Sequence, residues 1–213
     1  IDPDDRGVTL DLGTQKVRAG QLVLALGVSS PQLVPGLPVI PRAGQLFVTD
    51  RGPVDALPGS LTAAAYLLAK TEAPGRATLP PVVIDPLTTG QFLIGSSRED
   101  HADPNRVEFS VMRGLMARAA SAFPALAARR VIRAFAGVRA AVIDGLPIVG
   151  PLDGQPRITL ATGFEGDGIC LSAIIGAEVA RMVRGLPPSD ALAADLAVLS
   201  PLRFTTQPQE GRA

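Results

Sequence analysis

The segment RITLATGFEGDGICLSAIIGAEVARMVRG, residues 157–185, combines three patterns that together decide the fold. Residues 157–163 form an apolar, β-branched run that is typical of a buried strand. Residues 162–169, TGFEGDGI, contain three glycines and predict a tight loop. From residue 169 to 184 apolar side chains recur at helical spacing, and Gly185 ends the pattern. The segment therefore predicts a strand, a glycine-rich loop and a helix, in that order.

The glycine-rich loop is a candidate ligand site because glycines let backbone N–H groups approach a ligand closely. The amides of Gly168 and Ile169 would open the helix, where the helix dipole favours negative charge. The alternative is a plain strand-to-helix turn in which Asp167 serves as the N-cap. Glycines alone favour the plain turn.

The N-terminal residues predict two strands, VTLDLG at 8–13 and QLVLALG at 21–27. Residues Leu22 to Leu26 are wholly apolar, which is typical of a strand covered on both faces. Gly27 then begins the loop that leaves the end of this strand. The first 37 residues thus resemble part of an α/β domain.

The middle of the chain predicts an antiparallel sheet. Gln45 to Thr49 is β-rich, and VVID at 82–85 pairs with QFLIGSS at 91–97 across a glycine-containing turn. Residues 59–70, GSLTAAAYLLAK, fit either a strand or a helix, and the neighbouring strands favour a strand. VIRAFAGVRAAV at 131–142 predicts a further strand.

One helix is expected within this sheet region. Asp103 followed by Pro104 fits an N-cap and first turn, apolar residues continue at helical spacing to about Phe123, and Pro124 ends the pattern. After it, LPIVGP at 146–151 predicts a short strand that leads into the segment described first.

Composition excludes several classes of function. Twenty basic and twenty acidic residues cancel in 213, so nucleic acid and anionic membranes are not expected partners. Apolar runs stop well short of the roughly 20 residues that a membrane helix needs. A single cysteine, Cys170, and the lack of a signal-peptide pattern indicate a cytoplasmic protein. One cysteine and one histidine cannot build a metal cluster, so a cofactor is expected to carry any chemistry.

Arg139 is a second candidate site residue, because it follows a glycine-interrupted strand and a guanidinium can hold a carboxylate with two hydrogen bonds. The alternative, favoured by residue type alone, is a surface arginine on a strand. Arg133 is expected to be structural. No acid or base residue is predicted to be catalytic.

Other reactive side chains have structural interpretations. Residues 98–101, REDH, look like an acid/base cluster, but a solvated loop is the preferred interpretation. Cys170 lies in an apolar helix, where a buried inert thiol is the usual case, although covalent attachment to a cofactor is conceivable. Tyr66 is expected to be a core or rim aromatic.

Taken in order, these segments resemble the D-amino acid oxidase superfamily of FAD-dependent oxidoreductases, which includes glycine and sarcosine oxidases and the flavin subunits of opine and D-hydroxyproline dehydrogenases and of hydrogen cyanide synthase. PRAGQLFVTD resembles the family's entry into the substrate domain, and QFLIGSSRED its GSSRE hairpin strand, closest to the dehydrogenase-type subunits. AGVRAAVIDGLPIVGP and ATGFEGDGICLSAIIGAEVARMV resemble two further family motifs at the same separation. The resemblance covers nearly the whole chain and corresponds to the C-terminal portion of the family.

The resemblance implies an α+β and α/β fold, in which an antiparallel substrate-binding sheet with a helix is flanked by strands and a C-terminal helix of a Rossmann-like FAD-binding domain. It implies FAD-domain parts at 1–37 and 143–204, a substrate domain at 38–142 and a polar tail at 205–213. Arg139 would hold the substrate carboxylate. The flavin would be bound by Gly27, Gly163, Phe164, Glu165, Gly166, Asp167, Gly168, Ile169 and Cys170.

The chain departs from the family pattern in its dinucleotide motif and at individual residues. The family's G-x-G-x-x-G dinucleotide motif is absent, so a missing N-terminal segment or a partner subunit is expected to complete the FAD site. Ala140 replaces a proline, and Phe164 replaces a common histidine. At Gly166, some relatives carry a second carboxylate-binding arginine. The changes at Ala140 and Phe164 concern substrate preference more than fold.

The resemblance implies oxidation of the C–N bond of a small amino acid or secondary amine to an imine, with hydride transfer to flavin N5. The alternative is a non-catalytic relative that uses its sheet edge as a binding or assembly module. Exposed apolar surface on the α/β elements would favour the first function, because it would indicate a covering layer.

Overall fold

The structure is a computed structural model, and it describes residues 1–53, 57–64 and 82–204. Contacts divide the chain into two compact units, Pro41–Val138 and a second made of Ile1–Ile40 with Arg139–Ala213. The strands are β1 Asp2–Asp4, β2 Gly7–Asp11, β3 Lys16–Ala19, β4 Leu22–Leu24, β5 Val39–Thr49, β6 Leu61–Thr62, β7 Val83–Pro86, β8 Phe92–Gly95, β9 Val131–Val142, β10 Ile148–Leu152 and β11 Gln155–Thr162. The α-helices are α1 Ser30–Leu33, α2 Phe109–Ala122, α3 Gly168–Val183 and α4 Ala193–Leu199, with 3-10 turns at Gly27–Ser29, Pro124–Ala128 and Pro201–Phe204.

The Pro41–Val138 unit is built on a five-stranded sheet of order β6-β7-β8-β5-β9. The predicted hairpin is confirmed, because β7 and β8 pair antiparallel, and β5 pairs antiparallel with β8 so that Phe47 lies opposite Ile94. Helix α2 packs on this sheet through Leu115 and Ala119, which are fully buried. The apolar side chains on one face of the strands and on one face of α2 therefore pack into one core.

Helix α2 begins later than predicted. Its first residue is Phe109, whereas Asp103 and Pro104 precede it in an irregular segment. The Asp103 carboxylate accepts a hydrogen bond from the Asn105 amide at 2.8 Å, a local turn that competes with helix capping. The Asp103 side chain therefore accepts a hydrogen bond within a turn instead of capping the helix.

The other unit contains two small sheets. Strands β1, β2 and β3 form an antiparallel meander, and β10-β11-β4 form a second sheet. In the second sheet β11 pairs antiparallel with β10 and parallel with β4, so that Leu160 lies opposite Leu24. The sheets share an apolar core made of Val8, Leu24, Val39, Val142, Ile148, Ile158 and Leu160. The mixed sheets and helices of the predicted fold class are confirmed.

Helix α3 confirms the helix predicted after the glycine-rich loop. It spans Gly168–Val183 and packs through Val179 against Val149 of β10 and Leu196 of α4. Within the described residues, no helix is both long enough and apolar enough to cross a bilayer.

Strand β4 is shorter and more exposed than predicted. Strand β4 ends at Leu24, and Val23 is 40% exposed, so the prediction of a strand from Leu22 to Leu26 covered on both faces is wrong for this chain. In the segment 59–70 a short strand forms at Leu61–Thr62, but residues 65–70, with Tyr66, fall outside the described residues, as does the tail 205–213. The domain limits at 37, 142 and 204 stay a prediction.

Candidate functional site

The predicted flavin-binding residues follow the carboxyl ends of two parallel strands, β4 and β11. Strand β4 leads into Gly27, and β11 leads into Gly163, so both loops leave the same edge of one sheet. Ligands of open α/β sheets bind outside the carboxyl ends of the strands. The topology therefore brings the first and last predicted binding segments together.

The loop at Gly27 is held by a buried hydrogen-bonded triangle. The hydroxyls of Ser30 and Thr162 lie 2.8 and 3.0 Å from the Gly27 carbonyl oxygen, and 3.0 Å from each other. Ser30 and Thr162 are both almost fully buried, and Gly27 has a φ of 55°, which favours glycine. The triangle fixes the Gly27 loop against the end of β11.

Gly163 makes the closest approach in the site. It has a φ of 80°, and a Cβ atom at this position would lie 2.2 Å from Cγ2 of Val142. It would also lie 3.7 Å from the backbone of Pro147 and Ile148. The sequence needs glycine here for both backbone conformation and space.

The loop continues across strand β9. The amide of Glu165 donates to the carbonyl oxygen of Ala140 at 2.8 Å, and Glu165 has a φ of 49°. A Cβ atom at Gly27 would lie 4.0 Å from Cβ of Ala140. Ala140 is thus the point where β9, the Gly27 loop and the glycine-rich loop meet.

Arg139 is the residue before this meeting point. It is partly buried on β9. Arg133 is exposed on the same strand, with its guanidinium carbon 5.6 Å from the Phe135 ring centre. Of these two arginines, Arg139 is the one next to Ala140, the residue that contacts the glycine-rich loop.

The first turn of α3 presents backbone amides. Asp167 occupies the N-cap position but makes no side-chain cap hydrogen bond, and the first turn carries no acidic residue. The first amides of an α-helix lack intrahelical acceptors and carry a partial positive charge. Ile169 is 90% exposed, and Cys170 is exposed, so the expectation of a buried thiol is wrong. The turn can accept a polar, electron-rich edge of a ligand.

The loop at 98–101 differs from its prediction. Glu99 and His101 are largely buried, with side chains 21% and 19% exposed. Both carboxylate oxygens of Glu99 accept hydrogen bonds from the Gln45 amide, at 2.8 and 3.0 Å, while the Ser97 hydroxyl and His101 Nε2 also contact them. The solvated-loop interpretation is therefore wrong for these two side chains.

The cluster of Gln45, Ser97, Glu99 and His101, called the Glu99 cluster below, has a structural role. The His101 Nδ1 atom accepts the Asp103 amide, and the side-chain oxygen of the fully buried Gln45 accepts the Glu108 amide at 2.7 Å. Burial raises the pKa of the Glu99 carboxyl, but hydrogen bonds from Ser97, Gln45 and His101 outweigh it, so that the pKa lies below its ordinary value. With their polar atoms occupied, these groups hold strands and loop together and leave little capacity for acid/base chemistry.

The comparisons with known proteins give the class. The model of the FAD dependent oxidoreductase family, DAO, matches residues 1–182, and the chain belongs to this family. The family resemblance inferred from the motifs is thereby confirmed, and FAD is the cofactor of the class.

Individual relatives agree with the class. The chain is 31% identical over 172 residues to the hydrogen cyanide synthase subunit HcnC of Pseudomonas protegens, covering 81% of this chain and 36% of that protein. It is 27% identical over 188 residues to glycine oxidase of Pseudomonas aeruginosa, covering 86% and 47%. The crystal structure of glycine oxidase from Geobacillus kaustophilus matches the fold with a TM-score of 0.75 at 24% identity, covering 92% of this chain and 49% of that one. The chain thus spans half or less of these relatives.

Proposed function

We propose that this chain supplies the substrate-binding half, and the last flavin-contacting loop, of an FAD-dependent enzyme that oxidises the C–N bond of a small amino acid or secondary amine to an imine. The observation that carries the proposal is the meeting of Gly27, Ala140 and Glu165 at the carboxyl ends of β4 and β11. Membership of the family supports the cofactor and the reaction class. The relatives named as glycine oxidase support an amino-acid substrate.

The residues of the loop fit a flavin. Gly27 carries no side chain where a planar ring system would approach backbone, and the first amides of α3 lie at the N-terminal end of the helix without intrahelical acceptors. The carbonyl and nitrogen edge of the ring that becomes electron-rich on reduction would be held by the amides of Gly168 and Ile169. When bound, FAD supplies the acceptor for the hydride.

Arg139 would orient the substrate. An arginine stays charged at any physiological pH and matches a carboxylate with two parallel hydrogen bonds. Its place on β9, one residue before the contact point at Ala140, puts the carboxylate clamp next to the proposed flavin loop along the strand. Holding the carboxylate would fix the α-C–H of the substrate for transfer, which is a positional effect.

A second polypeptide region would complete the FAD site. Helix α3 exposes an apolar stripe of Ile169, Ala173 and Ala177 at four-residue spacing, and Val23 of β4 is also exposed. The dinucleotide-binding motif is absent from these 213 residues. A preceding segment or a separate subunit with that motif, in a Rossmann-like arrangement, would cover both surfaces. HcnC is named as a subunit of a synthase, which supports a partner polypeptide for this chain.

A non-catalytic assembly role is the second candidate. Strand β9 stands last in the order of its sheet, and its residues Val131 and Ile132 are 45% and 57% exposed. An exposed apolar edge can pair with a strand of another chain. This role predicts a protein that binds a partner but no flavin.

The experiment that tests the proposed function is anaerobic mixing of the natural flavoprotein with matched substrate pairs. Each pair compares an amino acid with the amine that lacks its carboxylate, such as glycine with methylamine and D-alanine with ethylamine. Bleaching of the flavin bands by at least one amino acid, with little or none by its partner amine, is the expected result. Bleaching by no amine or amino acid in a broad panel contradicts the proposed reaction.

A further inference from the structure

The turn between β9 and β10, residues 143–147, has a defined conformation. Its Gly145 has a φ of 78° and donates its amide to the Val142 carbonyl oxygen at 2.9 Å. The amide of Leu146 donates to Oδ1 of Asp144 at 3.1 Å. The Asp144 side chain therefore shapes the turn to which it belongs.

This turn and the residues beside it pack against Gly163 of the glycine-rich loop. The position of a Cβ atom at Gly163 is bounded by Val142 on one side of the turn and by Pro147 and Ile148 on the other, at 2.2 to 3.7 Å. The Glu165 amide is held by Ala140, two residues before Val142. A shift of the turn would thus be transmitted to the loop by direct packing.

Asp144 is held in turn by Arg203. The Arg203 Nε atom donates to Asp144 Oδ2 at 2.7 Å, and Nη2 donates to Oδ1 at 3.3 Å and to the Leu146 carbonyl oxygen at 2.9 Å. Its Nη1 atom donates to the carbonyl oxygens of Leu199 and Ser200, at 2.8 and 3.2 Å. All five N–H groups of one guanidinium are accounted for, which a lysine cannot reproduce.

Arg203 itself sits on a fixed element. It lies in the Pro201–Phe204 turn after α4, where Pro201 is buried and the Phe204 ring centre lies 4.3 Å from the guanidinium carbon. A Cβ atom at Gly150 of β10 would lie 3.0 Å from Cδ of Pro201. The Pro201–Phe204 turn that carries Arg203 is therefore packed against β10, the strand that follows residues 143–147.

We propose that Arg203, acting through Asp144, is a positioning residue for the loop 163–168, and that it sets the affinity of that loop for the flavin. This inference rests on the proposed function of the loop. Arg203 lies beyond residue 182, where the family model ends. It touches only Asp144, backbone carbonyls and its neighbouring ring among the contacts given above, so its effect on the flavin would be indirect.

The test compares Arg203→Lys and Asp144→Asn with Arg157→Lys in the whole natural protein. Arg157 is a matched control because it also donates to two backbone carbonyls of the same unit, those of Gly20 and Asp5, away from the loop. Three quantities are measured: hydrogen–deuterium exchange of the peptide containing Glu165, the dissociation constant for FAD, and the unfolding temperature.

The expected result for both test variants is exchange at Glu165 that is faster by about tenfold, together with FAD binding that is weaker by about tenfold. Arg157→Lys should lower the unfolding temperature as much but leave both other quantities unchanged. Unchanged exchange at Glu165 in Arg203→Lys, or equal effects in the control, overturns the inference. If the wild-type protein binds no FAD, the proposed function fails, while the exchange data still decide whether Arg203 positions the loop.

Discussion

The backbone amide of Glu165 donates a 2.8 Å hydrogen bond to the carbonyl oxygen of Ala140, and this bond joins the glycine-rich loop to the strand that carries Arg139. The two residues are distant in sequence, so the bond is tertiary. It ties the proposed cofactor contact to the proposed substrate contact through one backbone strand. Substitutions at Arg139 and in the glycine-rich loop test the substrate contact and the cofactor contact one at a time.

Replacing Arg139 by lysine should raise the KM for a carboxylate substrate by about 10- to 100-fold, because a two-point clamp is replaced by a point charge. Folding should be little affected, since the change keeps the charge and most of the stem. Steady-state kinetics and thermal unfolding measure the two effects. Arg133→Lys, on the same strand, is the control and should leave KM unchanged; an unchanged KM in Arg139→Lys would remove this residue from the substrate site.

Replacing Gly163 by alanine should destabilise the protein more than the same change at Gly154. Both glycines have positive φ, 80° and 66°, but a Cβ atom at Gly154 meets nothing within 4 Å. The difference isolates the clash with Val142, for which overpacking predicts about 1–3 kcal/mol of unfolding free energy. Urea unfolding of both variants measures it. Equal losses would show that the loop can move away without cost and is not rigidly packed.

Replacing Gly168 by valine should abolish flavin binding. A Cβ atom added at Gly168 would lie 3.2 Å from Cβ of Phe164, so a larger side chain must displace the loop or occupy the space next to the first-turn amides. Flavin content of the purified variant is the measurement. Gly114→Val in α2 is a control for the helix propensity of valine, because a Cβ atom there would meet no described residue outside its own helix within 4 Å. Normal flavin content in Gly168→Val would exclude a close contact there.

The Glu99 cluster should make the free energy of unfolding depend on pH. Hydrogen bonds hold the pKa of the Glu99 carboxyl below its ordinary value of 4.5 despite burial, so the folded state binds its proton less readily than the unfolded state. The stabilisation is full above the ordinary pKa and is lost as pH falls through the lowered value. Glu99→Gln should thus be less stable than wild type at pH 7, with the gap narrowing toward acid.

Urea unfolding at a series of pH values from neutral into the acid range measures this gap. The exposed Asp153→Asn is the control and should follow the wild-type profile. A gap between Glu99→Gln and wild type that stays constant with pH would contradict a linked proton at Glu99.

Local patterns predicted most of the fold. The strand, loop and helix of residues 157–185 and the β7–β8 hairpin follow from hydrophobic period and glycine placement, which act over a few residues. The start of α2 was missed because the Asp103 carboxylate can serve a turn as well as a helix. Exposure of Val23 and Cys170 was missed because an apolar run does not reveal how many of its faces are covered.

Long-range polar pairs were beyond the sequence. Gln45 and Glu99 are 54 residues apart, and Asp144 and Arg203 are 59 residues apart, so no local pattern links either pair. In the candidate site, the three glycines before α3 predicted a tight loop. The roles of Arg139 and of the glycine-rich loop toward substrate and flavin stay predictions.

The most direct test of the central claim is the absorbance spectrum of the purified natural protein, recorded with the intact masses of its polypeptides and after addition of FAD. Oxidised-flavin bands are expected in about equimolar amount to this chain. An amino-acid substrate is expected to bleach these bands in the absence of air. A folded protein that contains this chain, shows no flavin bands and takes up no added FAD would contradict the proposed function.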